Sequence, residues 1–259
     1  MAALLAIVSL VLGAPPAKAV LVDDWVSGDL IIGFRASDSL GQGFSSSYLV
    51  NIGQAIQYTS ATSSFNLSIG DIGADLAATY GSSWFSRTDL TWSVVGTTTG
   101  AAPSLYASRA RAAVGTQSTP WPGESSAAVR TGTKNQITSV TTAFNGLDAT
   151  ANSTKGAIQT NISGAASYNW QVTANSGTDF GSQSQWTNIE GAFGASSSKA
   201  LDLYKIASAT PEFRGVFSID SGGQVAFNAV PEPSTYMLLA ITGTVFMVFI
   251  RRRNVKQTA

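Results

Sequence analysis

Apolar residues alternate with polar ones in short runs. Residues 30–35 (Leu-Ile-Ile-Gly-Phe-Arg) form a β-type run, 47–52 form a second, and 65–69 alternate strictly. The Gly- and Ser-rich stretch 37–46 between the first two reads as a loop. Ile72, Leu76 and Tyr80 recur every four residues behind Asp71 and end at Gly81, which predicts a short capped helix. Residues 89–96 predict another strand, with 104–109 beside it. Residues 127–147 place Ile137, Val140, Thr141 and Phe144 on one helical face. From 152 to 198 Gly, Asn and Ser dominate, and Trp170, Phe180, Trp186 and Phe193 are the residues expected to pin that region to the core. Residues 201–206 alternate again. The runs 215–220 and 224–228 flank Ser221-Gly222-Gly223, which predicts a tight hairpin whose glycines supply positive φ. No repeat recurs at a fixed period. The expected fold is mainly β: an antiparallel β-sandwich, jelly-roll-like, with one or two short helices.

The two ends follow other rules. An apolar stretch over 2–12 precedes Pro15-Pro16 and the small-x-small pattern Ala17-Lys18-Ala19. This predicts a signal peptide over 1–19, cut after Ala19, with Val20 as the mature terminus. It lacks a Lys or Arg ahead of its apolar core, so only the amino terminus supplies charge there. At the other end, 236–250 carry no charge and precede Arg251-Arg252-Arg253. As a helix this run is about 22 Å long against a hydrocarbon core of about 30 Å. Ser234 and Thr235 extend it outward, and the arginines can snorkel at the inner end. The one-sided basic cluster predicts a membrane span with the tail in the cytoplasm and the body, 20–229, outside.

Composition narrows the chemistry. Only 12% of the 259 residues are charged, and the 15 basic and 15 acidic groups balance, so no basic field points to nucleic acid. The surface is expected to be neutral and rich in hydroxyls, which suits an extracellular setting and carbohydrate neighbours. With no Cys and no His there is no disulfide, no thiol nucleophile, no Ser-His-Asp triad and no imidazole or thiolate metal site. Glu124, Glu190 and Glu212 are the glutamates of the body. Asp23 and Asp24 are adjacent and point to opposite faces of a strand. Asp71 and Asp75 read as an N-cap and a first-turn charge. Asp220 has too few companions for a calcium site and reads as a turn residue. Gly41-Gln42-Gly43 lacks the residues of a phosphate loop. No catalytic, cofactor-binding or metal residue is expected, and the chain does not read as an enzyme. Trp25, Trp84, Trp92, Trp121, Trp170 and Trp186 offer rings for sugar stacking. Trp84 and Trp92 are expected in the core, and Trp121, between Pro120 and Pro122, is the candidate for exposure.

Val230-Pro231-Glu232-Pro233, the apolar span 236–250 and Arg251 to Arg253, in that order at the C-terminus, resemble a PEP-CTERM protein-sorting domain, over residues 230–259. The resemblance implies a transient partner, an exosortase, which is an integral-membrane transpeptidase of Gram-negative bacteria. It also implies an inner-membrane-anchored precursor that ends at the cell surface or outside the cell. Pro231 and Pro233 fix φ, remove two backbone donors and keep the stretch extended. Glu232 supplies its one charge. The body is more loosely similar to those of other secreted PEP-CTERM proteins, through "DLIIGFR", "YLVNIGQA", "YGSSW", "LYASRAR" and "LDLYK…GVFSIDSGGQVAF". The expected role is a surface or matrix protein associated with exopolysaccharide. A carbohydrate-binding module on the same sorting system is the alternative.

Overall fold

A computed structural model describes residues 20–173 and 189–230. Its elements, in chain order, are β1 (Asp29–Ala36), β2 (Ser47–Gln54), α1 (Ala55–Thr59), β3 (Phe65–Asn66), α2 (Ile72–Tyr80), β4 (Leu90–Thr97), β5 (Leu105–Ala110), α3 (Ala127–Phe144), β6 (Gly156–Gln159), α4 (Tyr168–Thr173), β7 (Gly191–Ala192), β8 (Ala200–Ile206), β9 (Glu212–Ile219) and β10 (Val225–Ala229).

The strands make one sheet in the order β3-β10-β9-β8-β5-β4-β1-β2-β6, and β7 adds to β4. All pairings are antiparallel. The expected two-sheet, jelly-roll-like sandwich is therefore corrected to a single curled sheet. The reason is continuity: no gap in the ladder divides it into two layers. Twist accumulates over nine strands instead, increased by register shifts at Leu30/Ile31 and Leu203/Tyr204. The curl brings Phe217 and Phe227 near one edge into the same cluster as Phe34 and Tyr48 near the other.

β1, the seventh of the nine strands along the path, is buried along its whole length. Its alternate side chains serve two cores. Leu30, Ile32, Phe34 and Ala36 enter the inner cluster, which α1 and α2 cover. Ile31 enters an outer cluster with Val95, Leu105 and Ala107, covered by Ile137, Val140 and Phe144 of α3. Those are the positions that helical spacing picks out. α3 runs for 18 residues within the stretch 127–147 where a helix was expected. Among the described residues no helix is long and apolar enough to cross a membrane. The expected span at 236–250 lies outside them.

The segment after β3 joins the two edges of the curl. Leu67 N–H donates to Val225 O (2.9 Å), Asp71 N–H donates to Asn152 O (3.0 Å), and Ser153 Oγ donates to Ile69 O (2.5 Å). Gly70 allows this seam: its φ is +80°, and a Cβ there would lie 2.5 Å from Asn152 O. Asp71 caps α2 as the sequence predicts, its Oδ1 accepting from Ala74 N–H (3.1 Å). Asp75 does more than complement the helix end. It is buried at the seam, where Oδ2 accepts from Tyr48 Oη (2.7 Å) and Thr150 Oγ1 (2.6 Å), and Oδ1 accepts from Asn152 Nδ2 (2.8 Å).

Gly73 sets two physical rules against each other. Alanine is better in a helix by about 1 kcal/mol. Here, however, a Cβ would sit 2.1 Å from the backbone oxygen of Gly222 in the β9–β10 turn. Neither backbone can yield without moving α2 or the hairpin. Gly73→Ala is expected to destabilise the body by about 1–3 kcal/mol, as overpacking does. A lower urea midpoint checks this, and a raised one contradicts it.

Candidate functional site: the exit of the sorting segment

β10 carries the body to its C-terminal segment. Val225 and Phe227 point inward, and Phe227 sits among Phe217 (4.9 Å between ring centroids), Tyr58 (5.1 Å) and Phe65 (5.8 Å). β3 pairs only with Ala226 and Phe227. β9 accompanies the strand further, to the pair Ala229↔Gly215. Gly215 lets them approach: its φ is +146°, and a Cβ would lie 2.4 Å from the Phe227 ring and 2.6 Å from Asn228 O. Val230 follows and is exposed. The strand is thus fixed by an aromatic anchor up to its last ladder residue. Pro231, Glu232, Pro233, the span 236–250 and Arg251, Arg252 and Arg253 lie outside the described residues.

At the other end Ala17, Ala19 and all of 1–19 also lie outside them. Val20 is already tied in, its carbonyl accepting from Ala149 N–H (2.8 Å). Val22 N–H donates to Leu147 O (3.1 Å), and the Val22 side chain joins the outer core.

The tryptophans do not form a stacking platform among the described residues. Trp121, expected to be exposed, is 1% accessible, and this corrects the expectation. It packs into the outer cluster, with the Arg109 guanidinium 5.0 Å from its ring centre and bonded to Pro120 O (3.0 Å). The flanking Pro120 and Pro122 are exposed, while the ring between them lies in the core. Trp84 and Trp92 are buried as expected, and so is Trp25. Trp170 is half-buried, and Trp186 lies outside the described residues.

Several carboxylates among the described residues hold the fold. Asp220 Oδ1 accepts from Gly222 N–H and Gln224 N–H, both at 2.9 Å, in the turn that Gly223 completes at φ +84°. On the outer face of β1 stands a buried ion pair that sequence reasoning missed. Arg35 Nε and Nη2 donate to Glu190 Oε1 (2.9 Å) and Oε2 (2.5 Å), with side-chain exposures of 8% and 4%. Thr91 Oγ1 (2.9 Å) and Tyr168 Oη (3.2 Å) also donate to Glu190 Oε1, and Tyr168 Oη shares a hydrogen bond with Ser93 Oγ (2.7 Å). The Tyr168 ring lies on Gly33, where a Cβ would come within 2.5 Å of it. Burial alone would lower the Arg35 pKa, but Glu190 outweighs it and leaves the value raised. Burial, then the charge of Glu190, pushes the Tyr168 hydroxyl well above the ordinary tyrosine range. Burial, then Asp75, does the same for Tyr48. These groups are held in their protonated or paired forms, which stabilises the sheet.

Comparison with known families assigns the C-terminal end. Residues 229–253 match the PEP-CTERM protein-sorting motif. The chain therefore carries the signal of an exported protein that is processed by an exosortase and passes through a membrane-anchored precursor to the surface. The match begins at Ala229, the residue on which the β10 ladder ends. No curated protein and no solved structure matches the chain.

Proposed function

We propose that this is an exported surface protein whose folded body is delivered by its C-terminal segment. The signal peptide 1–19 directs export and is removed after Ala19. Residues 236–250 then hold the precursor in the inner membrane, with the body outside and Arg251 to Arg253 in the cytoplasm. An exosortase recognises the extended Val230-Pro231-Glu232-Pro233 stretch, and the body is released to the cell surface or into exopolysaccharide. The observation that carries this reading is the sorting motif starting where the last strand ends, so that a complete fold and its address share a boundary. The low-charge, hydroxyl-rich body supports the polysaccharide setting. The role assigned to the body is structural rather than catalytic, because its buried carboxylates serve ion pairs and seams.

Replacing Pro231 and Pro233 together by alanine restores two backbone donors and allows helix to propagate outward from the apolar run. In the producing cell this variant is expected to accumulate as a full-length, membrane-embedded precursor, while the natural chain leaves the membrane. Equal release of both would contradict the proposal.

A further inference from the structure

The ladder sorts the loops to two ends. Because neighbours are antiparallel, the start of β1, the ends of β2 and β4, the start of β5, the end of β8, the start of β9 and the end of β10 lie together. The sorting segment leaves at that end. It shares the end with the loops 26–28, 60–64, 98–104 and 207–211 and with α1. None of these four loops, nor α1, contains an Asp, Glu, Lys or Arg; the segment before β6, which reaches the same end, carries Asp148 and Lys155. The loops of the opposite end carry Asp38, Arg87, Asp89, Arg111, Lys199 and Asp220.

The uncharged loops form a continuous surface. Thr99 N–H donates to Ser27 Oγ (2.9 Å), and Ala55 N–H donates to Gly28 O (2.7 Å). Tyr58 of α1 packs on Phe227 of β10. Val26, Ile56 and Val230 are exposed aliphatics on it, Ile56 at 64%. Charged groups flank these loops, several of them in bonded form. Glu212 and Arg214 pair with each other, Glu124 accepts from Ser126 N–H, and Asp23 accepts from Thr154 Oγ1.

Chain length fixes where this end can be. The six residues 230–235 separate β10 from the apolar run 236–250. Fully extended they reach roughly 20–22 Å. An eight-residue strand is itself about 26 Å long. The exit end must therefore stay within one short tether of the membrane, whereas the charged end can stand clear of it. Loops without ionic groups can meet the lipid interface without desolvating a charge.

We propose that the exit end is the membrane-facing surface of the anchored precursor, with Val26, Ile56 and Val230 seated in the lipid interface. This rests on the reading of 236–250 as a span. The chain has no cysteine, so single reporters are clean. The full chain is inserted into phosphatidylethanolamine–phosphatidylglycerol vesicles containing a fraction of nitroxide lipid. It carries an environment-sensitive fluorophore on Ile56→Cys or, at the opposite end, on Leu40→Cys, where the native side chain is 94% exposed. Quenching at position 56 is expected to exceed that at position 40 several-fold. Chain retained through alkaline carbonate extraction but quenched equally at both positions overturns the face assignment alone. Chain lost in that extraction overturns the span reading and this proposal with it. Shielding of position 56 that requires co-reconstituted exosortase, and is missing in lipid alone, overturns the lipid contact and assigns the face to a protein.

Discussion

Glu190→Ala is expected to lower the stability of the body by about 3–5 kcal/mol, the usual cost of leaving a buried charge without its partner. For a domain of this size that shifts the melting temperature by on the order of 10 °C. The physical cause is specific. Arg35 sits in β1, the strand that feeds both cores, and its guanidinium stays ionised at any accessible pH. Without Glu190 it must draw in water or leave the outer face, and either route disturbs Tyr168 over Gly33. Two comparisons sharpen the result. Glu212→Ala, at the half-exposed pair with Arg214, is expected to cost no more than about 1 kcal/mol. Replacing Arg35 and Glu190 together by Met and Leu is expected to recover most of the loss, because it removes both charges at once. Thermal unfolding of the three variants decides this. A Glu190→Ala variant no less stable than Glu212→Ala would contradict it.

Alkali is the second lever with a large effect. Burial raises the pKa of Tyr48, Tyr58, Tyr80 and Tyr168 above the ordinary 10.0. Asp75 adds to the effect on Tyr48, Asp29 on Tyr58, and Glu190 on Tyr168. A raised folded value means that the folded state holds a proton the unfolded chain releases. The contribution is fully present below pH 10 and is lost as pH rises toward the folded values. Each such group removes about 1.4 kcal/mol per pH unit above 10, so four remove roughly 5–6 kcal/mol per unit. Against a typical stability of about 5–15 kcal/mol, unfolding completes within about one to three pH units. Phenolate absorbance and circular dichroism are expected to change together in one steep transition. Phenolate absorbance rising smoothly around pH 10, with the sheet signal intact, would contradict the burial of these hydroxyls.

Local order was legible wherever one short stretch contained all the determinants. The helix 72–80 with Asp71 and Gly81, the hairpin at Ser221-Gly222-Gly223 and the buried face of α3 each depend on spacing within about twenty residues. β6 (Gly-Ala-Ile-Gln) and α1 (Ala-Ile-Gln-Tyr-Thr) are too short to show a period, and tertiary packing decides them. The third predicted strand shrinks to Phe65–Asn66 because Leu67 to Ile69 turn away to close the seam. The curled sheet was not legible, because twist accumulates over strands far apart in sequence and depends on where the ladder is unbroken. Arg35 and Glu190 lie 155 residues apart, and no local pattern couples them. An arginine inside an otherwise apolar β run was the one available hint. Trp121 misled because Pro-Trp-Pro reads as loop, and a loop residue can still turn its ring inward. The address at the C-terminus was the clearest of all, because a sorting enzyme reads linear sequence and not a fold.

The mature C-terminus tests exosortase sorting most directly. Protein recovered from the cell surface or the medium is intact-mass analysed beside precursor from the membrane fraction. The surface form is expected to lack the apolar run and basic tail, residues 236–259, and to retain the body through β10. Surface protein that still carries residues 236–259 would contradict exosortase sorting.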